Sequence, residues 1–254
     1  MFLPTPNPIA FTLLGLEIRW YGIFIAIGIL LGLYIGYKRA PGHGIPQEKV
    51  IDLALIGIPA GIIGARLYYV LFNWDYYAND FYKIIDVRSG GLAIHGGLIL
   101  GLLAVALGCR IWNIQPLSIL DLAAPSIALA QSIGRWGNYF NQEAYGSPTD
   151  LPWAIEINGN MVHPTFLYES IWCFIIFIFL IIVDRHYYYN GRIFLLYGIL
   201  YSFERFFVEH LRTDSLMWGD FKVAQIVSAL VFILFLVIYI ILARKHSRKN
   251  RMFY

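Results

Sequence analysis

Charged side chains are scarce in this chain. Only 14% of its 254 residues are Asp, Glu, Lys or Arg, whereas 59% are hydrophobic, and the mean hydropathy is +0.62. An ordinary soluble domain carries about 25% charged residues, so the composition excludes a soluble globular protein, a coiled coil and a disordered chain. The formal net charge of +3 is too small to indicate a nucleic-acid partner, and we predict none.

Cysteine is also scarce, and the familiar catalytic motifs are missing. Cys109 and Cys173 are too few for a disulfide scaffold. Both lie at or within apolar stretches, where packing is their simplest role. The sequence has no phosphate-binding glycine loop, no HExxH, no GxSxG and no CxxC motif. It also lacks a plausible ligand cluster for a metal, so none of these chemistries is predicted.

Seven apolar stretches approach the roughly 20 residues that a helix needs to span a bilayer. They cover residues 18–37, 53–72, 90–108, 117–133, 166–183, 193–208 and 223–243. We therefore predict an all-α polytopic membrane protein with about seven transmembrane helices, a small extracytoplasmic segment and a single integral membrane domain over residues 1–254. Glycines four apart, as in Gly57/Gly61 and Gly97/Gly101, predict close helix packing.

Lys and Arg are distributed unevenly between the connections. If the N-terminus lies outside, most basic residues fall on the cytoplasmic side, among them Lys38, Arg39 and the basic cluster that follows residue 243. Cytoplasmic loops of membrane proteins carry an excess of Lys and Arg. The predicted topology therefore has its N-terminus outside and its C-terminus in the cytoplasm.

Polar groups at membrane depth are costly, about 2.5–3.5 kcal/mol for a central Arg, and they indicate function. The densest group is the run GRWGNYFNQEAYG at residues 134–146, whose glycines suit tight turns after an apolar helix. Arg135 has the planar fork of donors that matches a phosphate. Asn138 and Asn141 offer further hydrogen bonds, and Glu143 is suited to hold the arginine or accept a proton. The alternative is an interfacial loop with a snorkelling arginine.

Three other polar features accompany this run. Tyr201, Arg205 and Glu209 are four residues apart and share one helix stripe, either as a structural ion pair or as one wall of an anion site. His95 precedes two glycines that allow close approach of another group, although a lone histidine is often a core residue. His163 precedes a proline that suits a helix start, so helix capping and catalysis are both open there. Together these residues predict an intramembrane site for an anionic lipid headgroup, without naming a reaction.

These motifs resemble the prolipoprotein diacylglyceryl transferase family of bacteria. Beyond the run 134–146, the resemblance extends in order along nearly the whole chain, to Trp20-Tyr21-Gly22, Gly64-Ala65-Arg66, His95-Gly96-Gly97, the stretch HPTFLYE at residues 163–169, and Tyr201, Arg205, Glu209 and Arg212. It implies an enzyme of the bacterial cytoplasmic (inner) membrane. Such an enzyme transfers the diacylglyceryl group of phosphatidylglycerol to the lipobox cysteine of a prolipoprotein signal peptide. The products are a thioether and glycerol 1-phosphate, and no cofactor or metal is implied.

The resemblance also implies residue roles. His95 is the candidate base for the substrate thiol, and Arg135 and Arg205 are expected on the phosphate of phosphatidylglycerol. The other expected binding or supporting positions are Tyr21, Asn138, Glu143, Gly146, Tyr201 and Glu209. The acceptor cysteine belongs to the substrate, which agrees with the packing role expected for both cysteines of this chain.

Two other functions remain as alternatives. A transporter for an anionic substrate would use the same arginines as a transit site, but it predicts internal symmetry between the halves of the chain, and the sequence shows none. A different membrane lipid enzyme, such as an intramembrane hydrolase, needs its own nucleophile, and no Ser–His or paired-Asp motif is present.

Overall fold

The computed structural model describes residues 6–78, 80–87, 90–186 and 189–251, with the side chains of residues 248–251 left out of the description. Within these ranges, six helices are long and apolar enough to cross a membrane: Trp20–His43, Gln47–Phe72, Ile94–Ile111, Pro116–Asn141, Thr165–Asp184 and Val223–Ser247. A helix satisfies its own backbone hydrogen bonds where no water can do so, which is why apolar runs of this length fold as helices in a bilayer. The predicted all-α polytopic class is confirmed.

The elements follow one another as helices joined by short hairpins. The helices are α1 (Trp20–Arg39), α2 (Gln47–Phe72), α3 (Trp74–Tyr77), α4 (Phe81–Ile85), α5 (Ile94–Ile111), α6 (Pro116–Asn141), α7 (Thr165–Asp184), α8 (Arg192–Leu211) and α9 (Val223–Arg251), with a 3-10 turn at Ala40–His43. The antiparallel hairpins pair β1 (Ile9–Leu13) with β2 (Leu16–Arg19), β3 (Ile155–Ile157) with β4 (Asn160–Val162), and β5 (Met217–Trp218) with β6 (Phe221–Lys222).

Several predicted stretches differ from the helices at their ends; α2, for example, begins at Gln47 rather than at residue 53. The stretch 90–108 starts too early, because Gly90 and Gly91 have positive φ values of 91° and 75°, and α5 begins only at Ile94. The stretch 117–133 ends too early, because α6 continues to Asn141. Gly134 and Gly137 therefore lie inside a helix rather than in turns, and the turn that ends α6 instead uses Gln142 and Ala144, with φ values of 54° and 57°.

The sixth predicted stretch, residues 193–208, is helical as expected but differs in character from the other six. It lies within α8, whose 20 residues correspond to about 30 Å of helix. It is not among the six candidate spans, and it carries Glu204, Arg205 and Glu209 in its second half. The apolar stripe of α8 is therefore interrupted by charged groups, of which Arg205 and Glu209 form an ion pair with each other.

The chain divides into two compact units, which we describe separately. The first comprises Met1–Ile35 and Leu120–Tyr254, and the second comprises Gly36–Ile119.

In the second unit, α2 and α5 pack through their glycines. A Cβ atom on Gly101 would lie 3.4 Å from the carbonyl oxygen of Gly57, and one on Gly97 would lie 3.1 Å from that of Gly61. Gly64 and Gly96 are closer still, since a side chain on either would collide with the backbone of the other. The predicted role of these glycines in close helix packing is confirmed.

In the first unit, α6 is the helix around which α1, α7 and α8 are anchored. Ser132 of α6 and Ser170 of α7 exchange hydrogen bonds, each hydroxyl donating to the other residue's carbonyl oxygen at 2.8 Å. Gly28 of α1 lies against Ala130 of α6. At the start of α8, the buried carboxylate of Asp121 accepts hydrogen bonds from the backbone nitrogens of Gly191 (2.6 Å) and Phe194 (2.9 Å). These contacts fix the positions of α1, α7 and α8 against α6.

Candidate active site

A buried carboxylate joins two arginines from different helices. Oε1 of Glu169 on α7 lies 3.1 Å from Nη2 of Arg135 on α6 and 2.8 Å from Nη1 of Arg205 on α8. The Glu169 side chain is fully buried, at 0% exposure, whereas the side chains of Arg135 and Arg205 are 19% and 18% exposed. A charge in an apolar helix needs partners of opposite sign, and here one oxygen provides the partner for both guanidinium groups. Both arginines retain accessible surface for a ligand.

The stripe predicted on α8 contributes Arg205 to this pair, and its other two residues contact the two arginines. Arg135 donates a hydrogen bond from Nη2 to the hydroxyl of Tyr201 at 3.3 Å. One turn further, Arg205 forms an ion pair with Glu209, which is itself buried at 2% exposure. The sequence left open whether this stripe is a structural ion pair or one wall of an anion site. Arg205 forms the ion pair and is also partly exposed, so the two interpretations are compatible.

Glu204 is a further buried acid beside Arg205. Its side chain is 6% exposed, and neither carboxylate oxygen accepts a hydrogen bond from the residues that the structure describes. Its electrostatic partners include Glu169, Arg135 and Arg205. It therefore adds to the charge around the arginines without the direct bridging contact that Glu169 makes.

The end of α8 is held by a second set of polar contacts. Arg212 donates to Asp214 from Nε (2.9 Å) and Nη2 (2.7 Å), and its Nε lies 3.9 Å from Oε2 of Glu209. Burial alone would raise the pKa of Asp214, but the hydrogen bonds and charge of Arg212 lower that pKa below its usual value. Nζ of Lys222 donates to the carbonyl oxygens of Glu209 (2.9 Å), His210 (3.1 Å) and Arg212 (2.6 Å). Cations stabilise a helix C-terminus in this way, so the end that carries Glu209 is well defined.

The predicted run 134–146 comprises the last turns of α6, which carry Arg135, and the turn that follows them. Tyr21 of α1 packs directly on Gly137, where any side chain would collide with its ring. Asn138 is half-buried, and its carbonyl oxygen accepts a hydrogen bond from the backbone nitrogen of Glu143 at 3.0 Å. The Glu143 carboxylate accepts a hydrogen bond from Asn141 Nδ2 at 3.3 Å. The sequence pattern had suggested Glu143 as the carboxylate that holds Arg135. In the structure this carboxylate is Glu169.

Gly146 connects this run to two other parts of the first unit. Its backbone nitrogen donates to the carbonyl oxygen of His163 at 3.0 Å, and it forms a β-bridge with Arg212. A Cβ atom at Gly146 would lie 2.6 Å from the Cβ of His163. The position therefore requires glycine, because the side chains of His163 and Thr165 leave no room for a Cβ atom.

His163 lies in an aromatic hydrogen-bond group at the start of α7. Its Nδ1 is 3.2 Å from the hydroxyl of Tyr168, which also accepts a hydrogen bond from Nε1 of Trp153 at 2.8 Å. Pro164 occupies the N-cap position of α7. These contacts support the helix-start interpretation of the HPT segment.

His95 and Arg66 belong to the second unit. His95 is exposed at the start of α5, with its ring centroid 6.2 Å from that of Tyr68. Arg66 is 4% exposed and donates to the carbonyl oxygens of Lys83, Ile84, Gly90 and Gly91. Its guanidinium therefore holds the connection that precedes α5. These hydrogen bonds give a structural reason for the presence of a buried arginine in an apolar helix.

Both cysteines are reduced and buried, Cys109 in α5 and Cys173 in α7. Among the described residues, no group of three or more His, Cys, Asp or Glu side chains is arranged to hold a metal ion.

The sequence singled out Arg135 and Arg205, which the structure brings to one carboxylate, but it did not identify the residue that joins them. Glu169 had appeared only as the last letter of the HPTFLYE stretch. The available signal was its position as the one acid between residues 166 and 183, since an isolated acid in an apolar helix needs a cationic partner. The resulting constellation offers two guanidinium groups and a tyrosine hydroxyl, donors suited to the oxygens of a phosphate.

Comparison with known proteins finds strong similarity over nearly the entire chain. A family model described as prolipoprotein diacylglyceryl transferase matches residues 8–241. A protein of Clostridioides difficile (strain 630) is 49% identical over 94% of this chain and 96% of its own length. One of Finegoldia magna is 48% identical over 89% and 91%, and one of Staphylococcus aureus (strain JH9) is 46% identical over 90% and 86%. All three are named phosphatidylglycerol–prolipoprotein diacylglyceryl transferase.

Proposed function

The chain belongs to the prolipoprotein diacylglyceryl transferase family, and from this premise we propose how its residues carry out the reaction. It is a bacterial membrane enzyme that transfers the diacylglyceryl group of phosphatidylglycerol to the lipobox cysteine of prolipoproteins, the first step of lipoprotein maturation. The observation that carries the assignment of roles is the arginine pair, since Arg135 and Arg205 reach one point from two helices.

The reaction requires that a leaving phosphate be stabilised. The thiolate of the substrate cysteine attacks the glyceryl carbon that bears the phosphate. The carbon–sulfur bond forms as the carbon–oxygen bond to phosphate breaks, and glycerol 1-phosphate departs with the electron pair. Arg135 and Arg205 bind the phosphate of phosphatidylglycerol and stabilise the charge that develops on it. Their partly exposed guanidinium groups support this role.

The proton of the substrate thiol needs an acceptor. His95 is our candidate for this base, because histidine is the side chain that most often acts as a general base in enzymes. Cys109 and Cys173 are buried, so the attacking thiol is supplied by the peptide and not by a cysteine of this chain.

The remaining positions support the headgroup site. Tyr201 and Glu209 orient the two arginines through the contacts described above. Tyr21, Asn138, Glu143 and Gly146 shape the surroundings of the last turn of α6, where they bind phosphatidylglycerol or position groups that do.

We also propose the location and organisation of the enzyme. The excess of Lys and Arg in alternate connections supports the cytoplasmic (inner) membrane with the N-terminus outside and the C-terminus cytoplasmic. The family model covers parts of both compact units, which supports a single transferase domain over residues 1–254.

The test is incubation of the purified protein with phosphatidylglycerol and a lipobox peptide, followed by mass measurement of the peptide. We expect one diacylglyceryl group on the cysteine and an equal amount of glycerol 1-phosphate. A peptide with Ser in place of the lipobox Cys is the matched control and should gain nothing. Release of fatty acid or diacylglycerol with an unmodified peptide would instead indicate a hydrolase, and the absence of any product would contradict the transferase.

A further inference from the structure

The bridging carboxylate has no role in the reaction as described so far. It contacts both arginines through a single oxygen, Oε1, and its second oxygen, Oε2, is buried without a hydrogen-bond partner among the described residues. Because the side chain is completely buried, it does not reach a substrate itself. We propose that Glu169 is the positioning residue that sets the distance and orientation between Arg135 and Arg205 for one phosphate, an inference that rests on the proposed function.

Electrostatics explains why such a residue is needed. Two guanidinium groups in a low-dielectric region repel each other unless an anion lies between them. Before the lipid binds, Glu169 is the one carboxylate among the described residues that contacts both arginines. The other carboxylate contact, between Arg205 and Glu209, lies within α8, so it cannot set the spacing between α6 and α8. Glu169 stands on the third helix and touches a group from each of the others.

The geometry indicates that the bridge keeps the donors available. Arg135 uses Nη2 for both Glu169 and Tyr201, whereas Arg205 uses Nη1 for Glu169 and Nη2 for Glu209. Both side chains remain partly exposed. A phosphate therefore meets two guanidinium groups whose positions are already fixed, and it does not have to displace the bridge.

The experiment compares Glu169→Gln and Glu169→Asp with the wild type in the phosphatidylglycerol and lipobox-peptide assay. Glu169→Gln keeps the shape but removes the charge, and we expect kcat to fall by roughly 10²-fold, the cost of misplacing reacting groups by about 1 Å. The KM for phosphatidylglycerol should rise while the KM for the peptide stays constant. Glu169→Asp restores the charge with a shorter reach and should recover part of kcat. A merely structural role would lower the folded fraction and leave both KM values unchanged.

Glu204→Gln is the matched control, because it removes a buried carboxylate near the same arginines without removing a contact to either. Its loss should be clearly smaller than that of Glu169→Gln. Binding of glycerol 1-phosphate, measured by calorimetry on the detergent-solubilised protein, should weaken in Glu169→Gln. Unchanged or tighter binding would overturn the proposal, since it would mean that Glu169 only screens the arginines.

The measurements distinguish failure of the proposed function from failure of the positioning role of Glu169. If the wild type does not modify the peptide, the proposed function fails, and the glycerol 1-phosphate measurement still decides whether Glu169 orders an anion site. If the wild type is active and Glu169→Gln does not fold, Glu169→Asp decides alone: wild-type values of kcat and both KM values in that variant would overturn the positioning role.

Discussion

Replacing Arg135 by lysine tests the headgroup site most directly. Arg135 holds two partners from one nitrogen, with Nη2 3.1 Å from Oε1 of Glu169 and 3.3 Å from the hydroxyl of Tyr201. The rest of its planar fork is then available for a phosphate. A lysine keeps the positive charge, but its single ammonium group cannot contact Glu169 and Tyr201 and also present a bidentate face. Arg135→Lys should therefore insert and fold normally while losing transition-state stabilisation.

The magnitude follows from the loss of one directed donor. Removing a single donor aimed at developing negative charge costs roughly 10²–10³ in kcat, or about 2.7–4 kcal/mol. We expect a decrease of that size in peptide modification, measured by mass spectrometry with phosphatidylglycerol at saturation. Arg110→Lys, at an exposed arginine in the last turn of α5, is the matched control and should retain wild-type turnover. Near-normal turnover of Arg135→Lys would refute the bidentate phosphate contact, because it would show that a point charge is sufficient.

Three further predictions concern the thiol, its proton and the topology. The double variant Cys109→Ala/Cys173→Ala should remain active in the peptide assay, because the nucleophile comes from the substrate; an inactive but folded variant would indicate a covalent intermediate. His95→Gln should lose roughly 10²–10⁴-fold in turnover if His95 is the base. Higher pH should partly restore its activity, because more of the peptide thiol is then ionised, whereas a small loss with a flat pH profile would remove His95 from the reaction. A reporter fused after Tyr254 should be active only if it functions in the cytoplasm, and a reporter active only outside would reverse the topology.

The helices were largely predictable because the bilayer imposes a simple requirement. A run of about 20 apolar residues that must satisfy its own backbone has few alternatives to a helix. Six of the seven predicted stretches correspond to candidate spans. The errors lay at the ends, where hydropathy changes gradually: α6 continues through the polar run to Asn141 because glycine and asparagine are tolerated in a helix that packs against others. Gly137 is needed there for the close contact with Tyr21 rather than for a turn.

The chemistry of the site was also visible in the sequence, since charged and amide groups in apolar surroundings are conspicuous. Residue type marked Arg135 and Arg205 as candidate phosphate-binding groups, and helical spacing placed Tyr201, Arg205 and Glu209 on one stripe of a helix. That both arginines act on one phosphate was implied by the family resemblance. Spacing relates residues on a single helix, however, and it contains no information about which residues of another helix they meet.

Pairing between helices was therefore decided only by the tertiary structure. The sequence offered Glu143 as the partner of Arg135, eight positions away, but the folded chain uses Glu169 on α7 and brings Arg205 from α8 to the same oxygen. The same is true of Arg66, which the sequence offered only as part of the Gly64-Ala65-Arg66 motif and which the structure uses to hold four carbonyl oxygens before α5. Burial and apolarity, which local composition determines, are properties of a segment, whereas the partner of a buried charge depends on how separate segments pack.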